Sequence, residues 1–204
     1  MADILYGVKL LVLEELDEQT QLPKTGGVTC YATTGKSAEL EPVVSEGEEK
    51  IARSDTKILA IVRTPDLLYG YDIKLVDNTF DVNAAALIEG GAVRKGTDGA
   101  IVGYDSAMLA QGATMKPFRA TIYVANYQGD AIVNYVKLTL NKCTGKAPTI
   151  KVGDEFFAPE FDIKAREATK ANLPVKSIDY VDALPTIPAT PAPSEPEDDS
   201  GSDT

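Results

Sequence analysis

The sequence predicts a mainly β fold: an antiparallel β-sandwich or barrel-forming subunit, with one short flanking α-helix and a disordered C-terminal tail. Three observations lead there. Apolar and polar side chains alternate in several runs, as in Tyr69, Tyr71, Ile73 and Leu75 against Gly70, Asp72 and Lys74, which is the period of a half-buried strand. Only one segment, Asp81 to Gly91, reads as a helix with a start and a stop. From about Ala183 onward, Pro185, Pro188, Pro191, Pro193 and Pro196 interleave with small and acidic residues, and such a stretch cannot bury enough apolar surface to offset its ordering entropy. The folded domain is therefore expected over residues 1–182 and the acidic Pro-rich tail over 183–204.

In order along the chain, Ile4 to Leu13 is expected to be a strand or arm, because Tyr6, Val8, Leu10 and Val12 alternate with a partly apolar second face. Glu14 to Gly27 is a polar connection, and Val28 to Ala32 a short strand. Glu39 to Asp55 holds a Pro, a Gly and a cluster of Glu, which predicts a long exposed loop. Ile58 to Val62 is apolar on both faces, so this strand should be covered on both sides, within a sandwich or by another subunit. The strand through Leu75 stops at Asp77-Asn78. Asp81 then caps a helix over Ala84 to Ile88, which Gly90-Gly91 ends in the left-handed conformation. Asp98-Gly99 marks a turn into Ala100 to Tyr104, and Ser106 to Thr114 a Gly- and Ala-rich loop. Phe118 to Val124, the Gln128-Gly129-Asp130 turn and Val136 to Leu140 form a β-hairpin. Phe157 to Arg166 and Ser177 to Val181 are the last strands.

Composition narrows the chemistry. The chain of 204 residues has no His, which removes Ser-His-Asp, Cys-His and His-metal sites and leaves only carboxylate or lysine chemistry. The formal net charge of −11 argues against a surface built to grip phosphates. Six of those charges lie from Asp182 onward, where no Lys or Arg occurs, so the body is only mildly acidic. Cys30 and Cys143 are too few for a disulfide framework or zinc site, and two reduced thiols are expected. The N-terminal stretch has no basic region and no small-residue cleavage site, so no signal peptide is expected, and no apolar run approaches the roughly 20 residues needed to span a bilayer.

Several short motifs match in letters and fail in context. Leu22-Pro23-Lys24-Thr25-Gly26 spells the LPXTG sorting signal but is followed by no hydrophobic span and basic tail, so it reads as a turn. Gly35-Lys36-Ser37 resembles the end of a phosphate-binding loop. Cys30 stands where its first Gly belongs, and Pro42 interrupts the helix it needs. The carboxylates Glu46, Glu48, Glu49 and Asp77, Asp81 neither face each other across a cleft, as a glycosidase pair does, nor fall in a calcium-loop pattern. No enzyme activity and no cofactor or metal is expected.

The order of features resembles one family, the major tail (tail tube) proteins of long-tailed bacteriophages. LYGVK (Leu5 to Lys9) comes first, then LEPVVSEGEEKIARSD (Leu40 to Asp55), YGYDIKLVDNTF (Tyr69 to Phe80), KPFRATIYV (Lys116 to Val124) and YVKLTLNKCTGKAP (Tyr135 to Pro148). The weight lies in their order and spacing across nearly the whole folded part. Some relatives carry an added immunoglobulin-like domain, where this chain has only its acidic tail.

The resemblance implies a structural virion protein, assembled in the host cytoplasm as hexameric rings that stack into the tail tube and conduct DNA during ejection. Self-association, the tape-measure, tail terminator and distal tail proteins would be its partners, with DNA only in transit and no membrane span. If six subunits each contributed about four strands at ~4.8 Å, the bore would measure ~37 Å before strand tilt, wider than a DNA duplex. The Glu39 to Asp55 segment resembles the family's ring-stacking loop, which makes Glu46, Glu48, Glu49, Lys50, Arg53 and Asp55 candidate assembly residues. Asp72 and Asp77 are candidates for a lumen whose acidity lets DNA slide. A contractile-tail inner tube is a near neighbour of this reading. The alternative from another class is a bacterial cell-surface or pilus-type structural subunit, and a carbohydrate-binding module is third, on nine Tyr without Trp.

Overall fold

The computed structural model describes residues 4–97, 99–108, 115–150 and 158–188. The strands are β1 (Ile4–Glu15), β2 (Thr29–Ala32), β3 (Gly35–Ser45), β4 (Glu49–Ser54), β5 (Lys57–Arg63), β6 (Leu67–Asp77), β7 (Ala92–Lys95), β8 (Ile101–Asp105), β9 (Phe118–Gln128), β10 (Ala131–Gly145), β11 (Glu160–Arg166) and β12 (Lys176–Val181). The helix α1 (Val82–Glu89) falls between β6 and β7.

All pairings are antiparallel. The main sheet runs β2-β1-β9-β10-β11-β6-β3, with β12 also on β10, while β4-β5 and β7-β8 form separate two-stranded ribbons. The long strand β10 is where the sheet forks. Its Tyr135 to Leu140 stretch pairs with β12 and its Lys142 to Gly145 stretch with β11. The two branches close over one core, in which Leu11, Leu13 and Ile122 of the first meet Ile73, Leu75, Phe161 and Ile163 of the second. No closed barrel forms within the described residues.

The helix supplies the plug between the branches. Asp81 caps it, its carboxylate accepting from the Asn83 N–H at 2.8 Å. Gly90 ends it at φ 82°, its N–H reaching the Ala86 carbonyl at 2.9 Å. Ala84 to Ile88 are all buried, as befits a helix apolar around its circumference. Close seating depends on Gly145, where a Cβ would lie 2.1 Å from Ile88 Cγ2.

One expected element is corrected. Glu39 to Asp55 is not a loop: it supplies most of β3 and all of β4. The charge count concealed a period-2 pattern in which Ala38 and Leu40 pack against the core while Glu39 and Glu41 face the solvent cleft. Pro42 lies on β3, which pairs with β6 alone among the described residues, and an edge strand is where a sheet tolerates Pro. Ile58 to Val62 is a strand, but among the described residues no second sheet covers it, and all of it is exposed. β7 has no counterpart in the sequence reading. Packing continues slightly past the expected boundary, since Leu184 lies against the small cluster of Leu10, Val12 and Tyr123. The expected turn at Asp98, the loop over 109–114, the strand start at Phe157 and the disordered tail from residue 189 lie outside the described residues.

Candidate assembly surfaces

The ribbon of β4 and β5 is an arm. It leaves the sheet where β3 ends and β6 begins, and six residues at ~3.3 Å each give it a reach of ~20 Å. Its root is tight. The Gly47 N–H donates to the Asp66 carboxylate at 2.8 Å, and the Thr64 N–H donates to the Glu48 carbonyl at 3.0 Å. A Cβ on Gly47 would lie 1.8 Å from the Thr64 carbonyl oxygen. Because that neighbour is backbone, Gly47→Ala is expected to spread the root and loosen the arm. Hydrogen exchange should rise by at least tenfold across residues 48–64 and stay unchanged in β9 and β10. Unaltered protection in the arm would refute the close approach.

Cross-strand register sorts the arm's side chains. Glu49, Ile51, Ile61 and Arg63 share one face, and Lys50, Ala52, Ala60 and Val62 the other. Every residue of both strands is exposed, Leu59 at 67% and Val62 at 66%. An arm apolar on both faces has nothing to gain from water. Covering Ile51, Ile58, Leu59, Ile61 and Val62 would stabilise a contact by on the order of 5 kcal/mol.

The six candidate charges are distributed along this arm. Glu46 and Glu48 lie at its root, Glu49, Lys50 and Arg53 on β4, and Asp55 in the turn. Lys50 and Glu48 pair at 3.4 Å with both side chains more than three-quarters exposed, a geometry that contributes little. The apolar side chains of β5, chosen by the sequence reading only as a covered strand, carry the larger binding capacity. Their signal was present all along in a run apolar on both faces.

Asp72 and Asp77 separate. Five residues apart on one strand, they face opposite ways. Asp72 is half-exposed and lies 3.4 Å from Arg166 Nη2. It belongs to a ladder in which Lys164, Asp72 and Glu41 form one cross-strand row and Asp162, Lys74 and Glu39 the next, lining a cleft of about 470 Å³. The two lysines offset only part of the acidity of these rows, in which four carboxylates stand against two ammonium groups. Asp77 is buried at 5% exposure and accepts from Thr34 Oγ1 at 2.6 Å and from the Thr79 N–H at 3.3 Å. These bonds tie the turn after β6 to the segment before β3.

The first branch presents a different surface. On the side of the β1-β9-β10-β12 sheet turned away from the core, Arg119 Nη2 meets Glu14 at 2.6 Å and Lys137 meets Asp179 at 3.7 Å. Lys9 reaches the same face over the Tyr127 ring, at 5.8 Å from its centroid.

The LPKTG string is held as a compact turn. Lys24 Nζ reaches Glu15 Oε1 at 2.9 Å, Lys24 N–H the Glu15 carbonyl at 2.9 Å, and Gly27 N–H the Lys24 carbonyl at 2.9 Å. The Lys24 ammonium, aided by the Val28 N–H, holds the Glu15 carboxyl below the usual glutamate range against its desolvation. A depressed carboxylate contributes stability that is present above the unfolded pKa and lost as pH falls through the folded one. Exchange of the Val28 amide is therefore expected to accelerate, beyond its intrinsic pH dependence, below about pH 4. Glu15→Gln should abolish that excess; a variant retaining it would contradict the assignment.

Burial pushes the thiols of Cys30 and Cys143 up to about 12, and both are free, which leaves them unreactive near neutrality. Among the described residues, no group of three or more His, Cys, Asp or Glu is placed to hold a metal ion, and no helix is long and apolar enough to cross a membrane.

No family model matches the chain, and neither does any curated protein. Among solved structures it is similar to the anti-feeding prophage cap, a tube-terminating cap determined by cryo-electron microscopy, with 13% identity and a TM-score of 0.39 over 87% of this chain and 94% of that one. The likeness at that score is coarse and carries no residue-to-residue correspondence.

Proposed function

We propose that this chain is a structural subunit of a phage-type tail tube, working by assembly rather than catalysis: hexameric rings stack through the β4-β5 arm and enclose a passage for DNA. The arm carries the reading. A ribbon apolar on both faces and uncovered by its own chain is a surface made for another subunit, and it occupies the segment whose sequence resembles the family's ring-stacking loop. Tape-measure, terminator and distal tail proteins would meet the tube's interior and ends, in a virion assembled in the host cytoplasm. Negative-stain electron microscopy of the purified protein should reveal hollow tubes or six-fold rings. Monomers persisting at every concentration would overturn the proposal.

The acidic tail fits this reading as a brake. Like-charge repulsion among tails acts over roughly 10 Å at 0.1 M salt and keeps free subunits apart. Deleting Pro185 to Thr204 is expected to shorten the lag before tube formation at low salt several-fold, followed by light scattering. An unchanged lag would exclude a braking role.

A further inference from the structure

We infer that the tyrosine-bearing face of the β2-β1-β9-β10-β12 sheet is a docking site for a proline-rich segment in the polyproline II conformation, and that its occupant is the chain's own residues 185–196. The inference needs one chain only and does not rest on the tube reading. Cross-strand register collects the rings. Val12 pairs with Tyr31, Leu10 with Tyr123, and Ala125 with both Tyr6 and Tyr135. Paired residues share a face, and so do Tyr123, Ala125 and Tyr127 at alternate positions of β9. Five of the nine tyrosines therefore stand together on the side turned away from the core, with at least one on each of four adjacent strands.

The chain itself lies on this face. β12 ends with Val181 opposite Tyr135, and the backbone beyond it turns back over the sheet rather than leaving it. Val181 and Leu184 pack, with Tyr31, against the buried Leu10, Val12 and Tyr123. Leu184 is the anchor, and Pro185 to Pro188 follow it, exposed, to the end of the described residues.

What comes after Leu184 has the spacing that such a face would read. Pro185, Pro188 and Pro191 recur at every third residue, and Pro193 and Pro196 repeat the interval. A polyproline II helix has three residues per turn and rises ~3.1 Å per residue, so each set lines one edge at intervals of ~9.3 Å. Alternate strands of a sheet lie ~9.6 Å apart. Prolines that cross the strands meet rings at nearly the same interval, and stacking on an aromatic-lined surface is how proline-rich segments dock. Charge agrees at the far end. Glu195, Glu197, Asp198 and Asp199 follow the prolines, while the Lys9 ammonium of this face sits over the Tyr127 ring and not against a carboxylate. Glu195 is eleven residues beyond Leu184, which in this conformation is ~34 Å. Five strands span only ~19 Å, so the acidic run can reach across the whole face.

The chain has no Trp, so Ala192→Trp places a single reporter within the segment of the full chain. Its emission should be blue-shifted and resist quenching by acrylamide, and both properties should persist on dilution because the docking is within one chain. Leu184→Asp removes the anchor, and the same reporter should then be quenched several-fold more strongly, with its emission moved to the red. Tyr6→Ala, at a ring 72% exposed, alters the face without touching the core and should raise quenching as well. Lys9→Glu should raise it at low salt and not at high salt. Far-ultraviolet circular dichroism verifies that each variant keeps its strands. A reporter as open to acrylamide in the parent as with Leu184→Asp, or one whose protection ignores both face variants, would overturn the docking site. Protection lost on dilution would place the segment on a second copy and overturn the chain itself as occupant. Neither result depends on whether tubes form.

Discussion

Leu59→Asp combined with Ile61→Asp is expected to leave the subunit folded and to eliminate its tubes. Both side chains are more than half exposed in the free chain, so the change in folding stability should stay within about 0.5 kcal/mol. In the proposed assembly the same positions would lie under a neighbour, where an uncompensated carboxylate costs several kcal/mol. At 1.4 kcal/mol per factor of ten, the concentration needed for assembly rises roughly 100-fold or more. Sedimentation and electron microscopy should find no pelletable tubes, while the melting temperature is unchanged. Lys50→Gln serves as the contrast: its exposed partner Glu48 makes the pair weak, and tube yield should hardly move. Normal tubes from the double Asp variant would remove the arm from the assembly contact.

The largest effect on the fold is expected from Phe118→Ala. Phe118 is fully buried, stands opposite Glu15 on β1 and Cys143 on β10, and belongs to the core shared by both branches. Truncating such a ring removes its transfer free energy and leaves a cavity, at a cost of ~3–5 kcal/mol. For a chain of this size each kcal/mol lowers the melting temperature by ~2–4 °C, which gives a fall of about 10 °C. Calorimetry or thermal circular dichroism reads it directly, and a fall under about 3 °C would mean the site collapses around the missing ring or is packed less tightly. Tube yield at temperatures well below the new midpoint should survive, because Phe118 touches no exposed surface. That separates a stability defect from the assembly defect of the arm variant.

The two expectations draw on different levels of the sequence. Phe118 was legible at once, as an inward position in an alternating run before a Gln-Gly-Asp turn. The helix was equally legible, because Asp81 and Gly90 act through bonds within three or four residues of themselves. The arm was legible only in part. Ile58 to Val62 declared that both its faces needed cover, but nothing local said whether the cover belonged to the same chain. β3 was misread because Glu39 and Glu41 look like a solvated loop until β6 is laid beside them and Leu40 is seen to point inward.

The carboxylates show the same division. Asp72 and Asp77 share a strand and a charge, and the sequence alone treats them alike. Thr34 and Thr79 close around Asp77 and withdraw it from solvent, while Lys164 and Arg166 compensate Asp72 from the neighbouring strand. Local periodicity, capping and turn chemistry by themselves determined that this chain is antiparallel β with one helix and without histidine chemistry, because those signals act within a few residues. Which strands stay bare, which charges are paired and which apolar ribbon is left uncovered were decided only by the tertiary structure. These depend on strands brought together from opposite ends of the chain, and no short-range pattern records who the neighbour is.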